Sequence, residues 1–436
     1  MQTDEKKAFG LWSAVFLGIG SMVGAGIFIV IGQAGAIAGN LLIYSFLLAA
    51  LIALLCGYSL SKLAIAYPSR GGIIEYLIQS YGENVFSGAL GVLFYFAQLI
   101  AIAAVAKSFG TYASTYIIAS DAHSYINIFA IAIVVLFVVI NLIGASLVAK
   151  SENIIVIVKL TALIAFGLAS MFYITPSHFS LKDAPASINI FYSLGLTFFA
   201  FQGFSVITNS VEDMDNPKVN MLKSMFITIG LVTFLYLLIT VAVFGNLSLA
   251  EIIKSQDFAL AQAAEPIFGS LGFKLIAATA LLATASAINA TLYSATQISY
   301  DLARHGDLPD VYERHVFHNS EGLIISAILI IPMLLFFNLG EIASIASVSV
   351  LLIQGFTHIG HLFKLKETHA KINIVLLAIV GTFLAAGFAI YYTSKSIENF
   401  GFYILGLFVF AFILEIILRL VSARIIQKNN YNSRLF

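Results

Sequence analysis

At 436 residues the chain has the length of about three soluble domains, yet 60% of it is hydrophobic and only 10% charged, which excludes that organisation and reads as an integral membrane protein. Lys+Arg and Asp+Glu number 22 each, so no basic excess is left for a nucleic-acid backbone. The single cysteine, Cys56, lies in an apolar run; it permits no intramolecular disulfide and is too little for a metal site.

Residues 8–61 carry no charge, more than twice the ~20 helical residues that cross a hydrocarbon core, so they hold two spans joined at Gly39-Asn40. Lys6 and Lys7 precede this run, but it far exceeds a signal-peptide h-region and is not expected to be cleaved. Further apolar stretches fall at residues 85–117, 125–148, 153–175, 189–211, 221–246, 271–300, 322–340, 341–363, 371–394 and 399–421, which predicts twelve spans. With the N-terminus inside, sixteen Lys and Arg fall on the cytoplasmic side and four outside (Lys182, Lys254, Lys274 and Lys395), with Lys107 and Lys159 within spans. That asymmetry places both termini in the cytoplasm. Residues 71–82 and 248–269 mix charge with apolar residues and are expected to form helices lying at the membrane surface.

The first span carries Gly18, Gly20, Gly24 and Gly26 near its middle. Each glycine costs a helix interior about 1 kcal/mol, which predicts an unwound stretch from Val23 to Gly26. The sixth span has Ala200-Phe201-Gln202-Gly203-Phe204 at matching depth. Helices interrupted at corresponding places in two halves are the sequence sign of a transporter built from inverted repeats. Such a break frees amide N–H groups at one half-helix and carbonyls at the other, so it suits a ligand bearing both charges. In a zwitterionic amino acid the carboxylate would meet the amides of Gly24, Ala25 and Gly26, and the ammonium the carbonyls near Gly20 and Ser21. The glycines alone are equally consistent with close helix packing.

Three motifs in order resemble the amino acid–polyamine–organocation (APC) superfamily: Gly20-Ser21-Met22-Val23-Gly24-Ala25-Gly26-Ile27-Phe28 in span one, Phe198 to Phe204 followed by Asn216-Pro217-Lys218 around span six, and Tyr300-Asp301-Leu302-Ala303-Arg304-His305-Gly306-Asp307-Leu308-Pro309 at the exit of span eight. The chain departs from the pattern at Leu222, where members usually carry a second proline. The resemblance, which covers essentially the whole chain, implies an all-α polytopic membrane protein of 12 transmembrane helices. Its core would be a LeuT-like 5+5 inverted repeat with discontinuous helices 1 and 6, repeat one at about 12–175 and repeat two at about 189–364. Residues 1–364 would form that transport core, and residues 365–436 two accessory helices and a cytoplasmic tail. Carried over by position, the substrate site would fall on Gly20, Ser21, Val23, Gly24, Ala25, Gly26, Phe199, Ala200, Phe201 and Gly203. A plasma (inner) membrane location, free amino acids as substrate and no cofactor follow from the same resemblance.

Lys159 interrupts an apolar run with no carboxylate in its own span, and an ionisable group at that depth is a functional candidate. In proton-coupled, sodium-independent members a lysine here looks like a replacement for a bound cation; its ammonium would reach the carbonyls of Gly20 and Val23 and the hydroxyl of Ser286. Lys107 is expected to snorkel to the outer interface, and Glu415 and Arg419 to pair along one helix. Asn289, Tyr293 and Gln297, on one stripe of span eight, read as polar glue between helices. Phe94, Tyr95, Gln98, Ser344, Ser347 and Gln354 are further pocket candidates. The histidines His305, His315 and His318, and likewise His358, His361 and His369, are expected on a solvated cytoplasmic face and not around a metal, because no Cys or paired carboxylate completes a ligand set. No nucleotide-binding loop and no catalytic constellation appears, which disfavours a pump or an enzyme. A proton-coupled carrier of small or neutral amino acids is the leading expectation, with an exchanger without net proton movement and a non-transporting sensor as alternatives.

Overall fold

Long apolar runs have no water to satisfy their backbone and therefore close it internally as helices. The computed structural model describes residues 9–117, 122–143, 146–180, 184–317 and 319–422. Lys6, Lys7, Lys182, His318, Arg424, Lys428 and Arg434 lie outside the described residues. In chain order the helices are α1 (Leu11–Met22), α2 (Ala25–Ala38), α3 (Leu42–Ala66), α4 (Ile73–Tyr81), α5 (Val85–Ser114), α6 (Ala122–Ile143), α7 (Ser146–Ser170), α8 (Asn189–Tyr192) and α9 (Leu194–Phe201). There follow α10 (Pro217–Asn246), α11 (Leu249–Lys254), α12 (Ala259–His305), α13 (Glu321–Phe336), α14 (Leu339–Phe363), α15 (Leu365–Thr368), α16 (Ile372–Ser396) and α17 (Phe400–Ser422). A two-residue antiparallel pairing, His315–Val316 with Asn319–Ser320, is the sheet present among the described residues.

Among the described residues, nine helical segments are long and apolar enough to cross a membrane, and α1 and α13 are shorter apolar helices. The segment Gly26–Ala66 holds both α2 and α3, separated by the expected turn: Gly39 takes φ 54° and opens a 3-10 turn at Gly39–Leu41. Residues 71–82 contain α4, bounded by Gly72 and Gly82. Residues 248–269 form α11 and the first part of α12, which kinks at Gly269 (φ 65°, ψ −162°) before the long helix resumes.

The outer helices turn large apolar side chains outward. Phe402, Leu405, Phe410, Ile413 and Leu420 of α17, and Ile128, Leu136 and Val139 of α6, are exposed. Apolar surface on that scale is what a lipid-facing protein carries and a soluble monomer does not. Inside, α5 is buried along most of its length and packs against α6, α12, α13, α14 and α17, while α1, α3, α9 and α10 form a second neighbourhood with α2 between the two.

Four expectations need correction. The break in the first helix is narrower than Val23 to Gly26, because α2 already begins at Ala25 and the non-helical residues are Val23 and Gly24. Lys107 does not snorkel: it donates to Asn127 Oδ1 at 2.5 Å and to Leu334 O at 2.7 Å. Leu334 lies in the last turn of α13, where carbonyls lack a helical partner and the dipole favours a cation, so the lysine caps α13 from α5. His358 and His361 are fully buried instead of solvated, whereas His369 is exposed as expected. Of the stripe on α12, Asn289 accepts from Asn141 Nδ2 of α6 at 2.7 Å, but Tyr293 and Gln297 are exposed and bridge nothing in the interior.

Candidate substrate site at two helix breaks

α1 stops at Met22 because Val23 (φ −82°, ψ 59°) and Gly24 (φ −107°, ψ −128°) leave the helical region, and α2 then restarts at Ala25. The second break follows α9: Gln202 turns extended (ψ 142°) and Gly203 takes φ 112°, a left-handed value open to glycine at little cost, before a 3-10 segment at Phe204–Ser210. A methyl group on Gly203 would stand 2.6 Å from Ser21 Oγ and 2.9 Å from the Ser21 carbonyl carbon, and one on Gly26 would stand 2.9 Å from Ala200 Cα. The two breaks therefore meet backbone to backbone, and side-chain-free residues are what let them.

Tyr236, fully buried on α10, joins them. Its Oη lies 2.8 Å from Met22 O, the end of the first half-helix, and 2.8 Å from Ala200 O near the end of the second. One hydroxyl thus shares its hydrogen between two carbonyls at the ends of the broken helices, where intrahelical donors run out. Lys159, 1% exposed on α7, donates to Gly20 O at 2.8 Å, placing a cation at the C-terminal end of α1 where the helix dipole favours it. Ser286 is buried on α12 beside Ala287, whose Cβ would lie 3.1 Å from a methyl group on Gly24.

The structure brings Gly20, Ser21, Val23, Gly24, Gly26, Ala200 and Gly203 into one neighbourhood, with Ala25 opening α2 beside them. Phe199 is buried close by in α9. Phe201 departs from the expectation: its ring packs at 5.3 Å from Tyr236 and 6.3 Å from Phe46, in an aromatic cluster between α3, α9 and α10, so its side chain serves the core. The Gly20 carbonyl accepts from Lys159, as the sequence reading expected, so of the carbonyls near Gly20 and Ser21 this one is already engaged. Two pocket candidates act as ties: Tyr95 Oη bonds Ser326 Oγ at 2.8 Å, and Ser347 Oγ donates to Gly195 O at 2.5 Å, fixing α14 to α9.

Sequence reasoning missed Tyr236 and Gln202. Gln202 Nε2 is buried and has no hydrogen-bond partner among the described residues, a donor left open at the second break. An amide beside a helix-breaking glycine in an apolar span was a signal available in the sequence. Tyr236 had none, because an aromatic residue in a span is ordinary packing until its hydroxyl is placed. Glu415 and Arg419 pair as expected at 2.5 Å, and Arg419 Nη2 also reaches Asp307 Oδ1 at 3.7 Å, so the pair joins α17 to the exit of α12.

The chain as a whole has relatives among known proteins. Residues 9–420 match the family described as amino acid permease, and the chain belongs to that family. It is 36% identical over 433 residues to an uncharacterized protein of Methanocaldococcus jannaschii, covering 98% of this chain and 99% of that one. It is 33% identical over 378 residues to the inner membrane transport protein YbaT of Escherichia coli, 86% of this chain and 87% of the relative. It is also 26% identical over 319 residues to the serine/threonine exchanger SteT of Bacillus subtilis, 71% and 72% of the two chains. The protein is accordingly a multi-pass membrane transporter of amino acids and not an enzyme.

Proposed function

We propose that the protein carries small or neutral amino acids by alternating access, coupled to protons and independent of sodium, through a site at the two helix breaks. The reading takes twelve spans in a LeuT-like 5+5 arrangement: α1 with α2, α3, α5, α6 and α7 as one repeat; α9 with the Phe204–Ser210 segment, α10, α12, α13 and α14 as the other; α16 and α17 as accessory spans. Residues 1–364 form the core in this scheme. Both termini are cytoplasmic and the setting is the plasma membrane, in keeping with the asymmetry of Lys and Arg between the loops.

The substrate carboxylate meets the N-terminal amides of α2 at Ala25 and Gly26, where the dipole end is positive, and its ammonium meets carbonyls around Ser21 and Ala200. Gln202 Nε2 supplies a further donor. The apolar residues around the second break match no charged substrate side chain, which supports small or neutral amino acids. The observation that carries proton coupling is the Lys159 bond to Gly20 O, which puts a titratable cation at the broken helix where a bound metal cation would otherwise hold it. Protonated, Lys159 fixes α1 against α7; deprotonated, it releases the segment and lets the break rearrange. The membrane potential adds about 2.3 kcal/mol per transported charge per 100 mV.

The test is amino-acid uptake into proteoliposomes without sodium, with and without an inward proton gradient, for the native protein and Lys159→Ala. Accumulation that follows the gradient in the native protein, and is lost in a variant that still binds substrate, supports the reading. Exchange without net proton movement is the second reading, favoured by the similarity to a serine/threonine exchanger. Uptake that ignores pH and requires internal amino acid would establish it and make Lys159 a fixed structural cation.

A further inference from the structure

A second buried titratable cluster lies away from the substrate site. His358 and His361 stand three residues apart near the inner end of α14, both 0% exposed. His358 Nδ1 is 2.8 Å from Ser59 Oγ of α3, the same oxygen is 2.7 Å from His361 Nδ1, and His361 Nε2 is 2.9 Å from Thr368 Oγ1 of α15. With both imidazoles neutral and Thr368 Oγ1 donating to Lys364 O, the chain runs in one direction. Thr368 Oγ1 donates to Lys364 O at 3.0 Å, so it accepts from the Nε2–H of His361. Nδ1 of a neutral His361 then accepts from the Ser59 hydroxyl, and Ser59 Oγ accepts from the Nδ1–H of His358. What remains is Nε2 of His358, a bare lone pair that is buried and has no hydrogen-bond partner among the described residues. It is the atom of the chain that can take a proton without breaking a bond already made.

We propose that His358 Nε2 is a second proton-binding site, separate from Lys159, and that its loading opens the hydrogen-bonded joint between α3 and α14 at their inner ends. The proposal rests on the proton-coupled reading for its role in transport. The packing described here is that of the empty site, because an imidazolium at this position would be a buried charge facing positive groups. Lys62, one turn beyond Ser59 on α3, sets its charge near His361. Beside Thr368, Lys364 pairs with Glu367 at 3.2 Å, and Glu367 also accepts from Tyr67, which follows α3. Tyr81 of α4 is engaged with Phe356 O, and the Lys371 amide at the start of α16 with Tyr58 of α3. Asp307, Glu415 and Arg419, at the junction of α12 and α17, form a cluster of their own. None of these carboxylates forms an ion pair with the imidazoles, so a proton on His358 favours an arrangement in which water or a new partner reaches α14.

The experiment is amino-acid counterflow in proteoliposomes with pH equal on both sides, varied between about 4 and 8, which extends below the range of a free histidine because burial disfavours the imidazolium. Counterflow proceeds whether or not protons accompany the substrate, so a failure of the symport reading leaves this test intact. The native rate is expected to change about threefold or more over that range. His358→Asn, which keeps a donor toward Ser59 and removes the titrating nitrogen, is expected to flatten the profile while substrate binding is retained. In Lys159→Ala the histidine-dependent change in whatever counterflow or substrate binding remains should persist. Ser59→Ala, which cuts the joint and keeps both imidazoles, guards against misfolding of the first variant and should displace the midpoint of the profile. A native profile without pH dependence, or one unchanged in His358→Asn or in Ser59→Ala, overturns the proposal.

Discussion

Single polar atoms decide the geometry of the breaks. Tyr236→Phe removes one oxygen yet leaves Met22 O and Ala200 O without their shared donor. Loss of a buried donor of this kind costs about 1–3 kcal/mol, so a lowered unfolding temperature in detergent and about tenfold weaker substrate binding are expected. A variant with native stability and affinity would show that water serves those carbonyls equally well. Gly203→Ala is harsher: it meets both a left-handed φ and the Ser21 backbone at 2.9 Å, and should abolish uptake even where the protein still reaches the membrane. The sequence made Gly203, Gly24 and Gly26 legible as candidates because glycine in a span demands a reason. It could not show that Phe201 turns its ring to Phe46 and Tyr236, since aromatic residues fill cores and sites alike.

Between elements, the unpaired ends of helices recruit the charges. Lys107 of α5 caps α13 through Leu334 O and bonds Asn127 of α6, so three helices share one ammonium. Lys107→Met keeps the length of the side chain and removes its donors. It should cost about 1–3 kcal/mol in detergent stability while preserving the proton dependence of transport, in contrast with Lys159→Ala. Equal loss of coupling in both variants would place Lys107 in the proton path instead. From sequence Lys107 was judged by its depth alone, and depth misjudged it because its partners come from helices 20 and 227 residues away in the chain.

At the scale of the molecule, the junction of α12 and α17 carries a pH dependence of stability. Burial pushes the Asp307 carboxyl above its ordinary range, against the pull of Arg419. A carboxyl raised in the folded state holds its proton longer folded than unfolded. Its contribution is therefore fully present below the ordinary carboxylate range and is lost as pH rises through the raised value. Removing the opposing charge in Arg419→Met should deepen that loss, seen as a larger fall in melting temperature between about pH 4 and pH 7 than in the native protein. A parallel shift at both pH values would mean that Arg419 acts through packing alone.

What the sequence determined by itself was the membrane setting, the helical runs and, to within two residues, where the first helix breaks. These follow from local physics: apolar length sets a span, and glycine, proline and asparagine end a helix wherever it packs. The tertiary structure alone decided which groups satisfy one another. Tyr236 at two carbonyls, Lys107 at the end of α13, and the chain from His358 through Ser59 and His361 to Thr368 all join residues from separate helices. In an apolar interior a polar group must find a partner, and which partner it finds depends on the relative rotation and depth of whole helices, a quantity that no local pattern encodes.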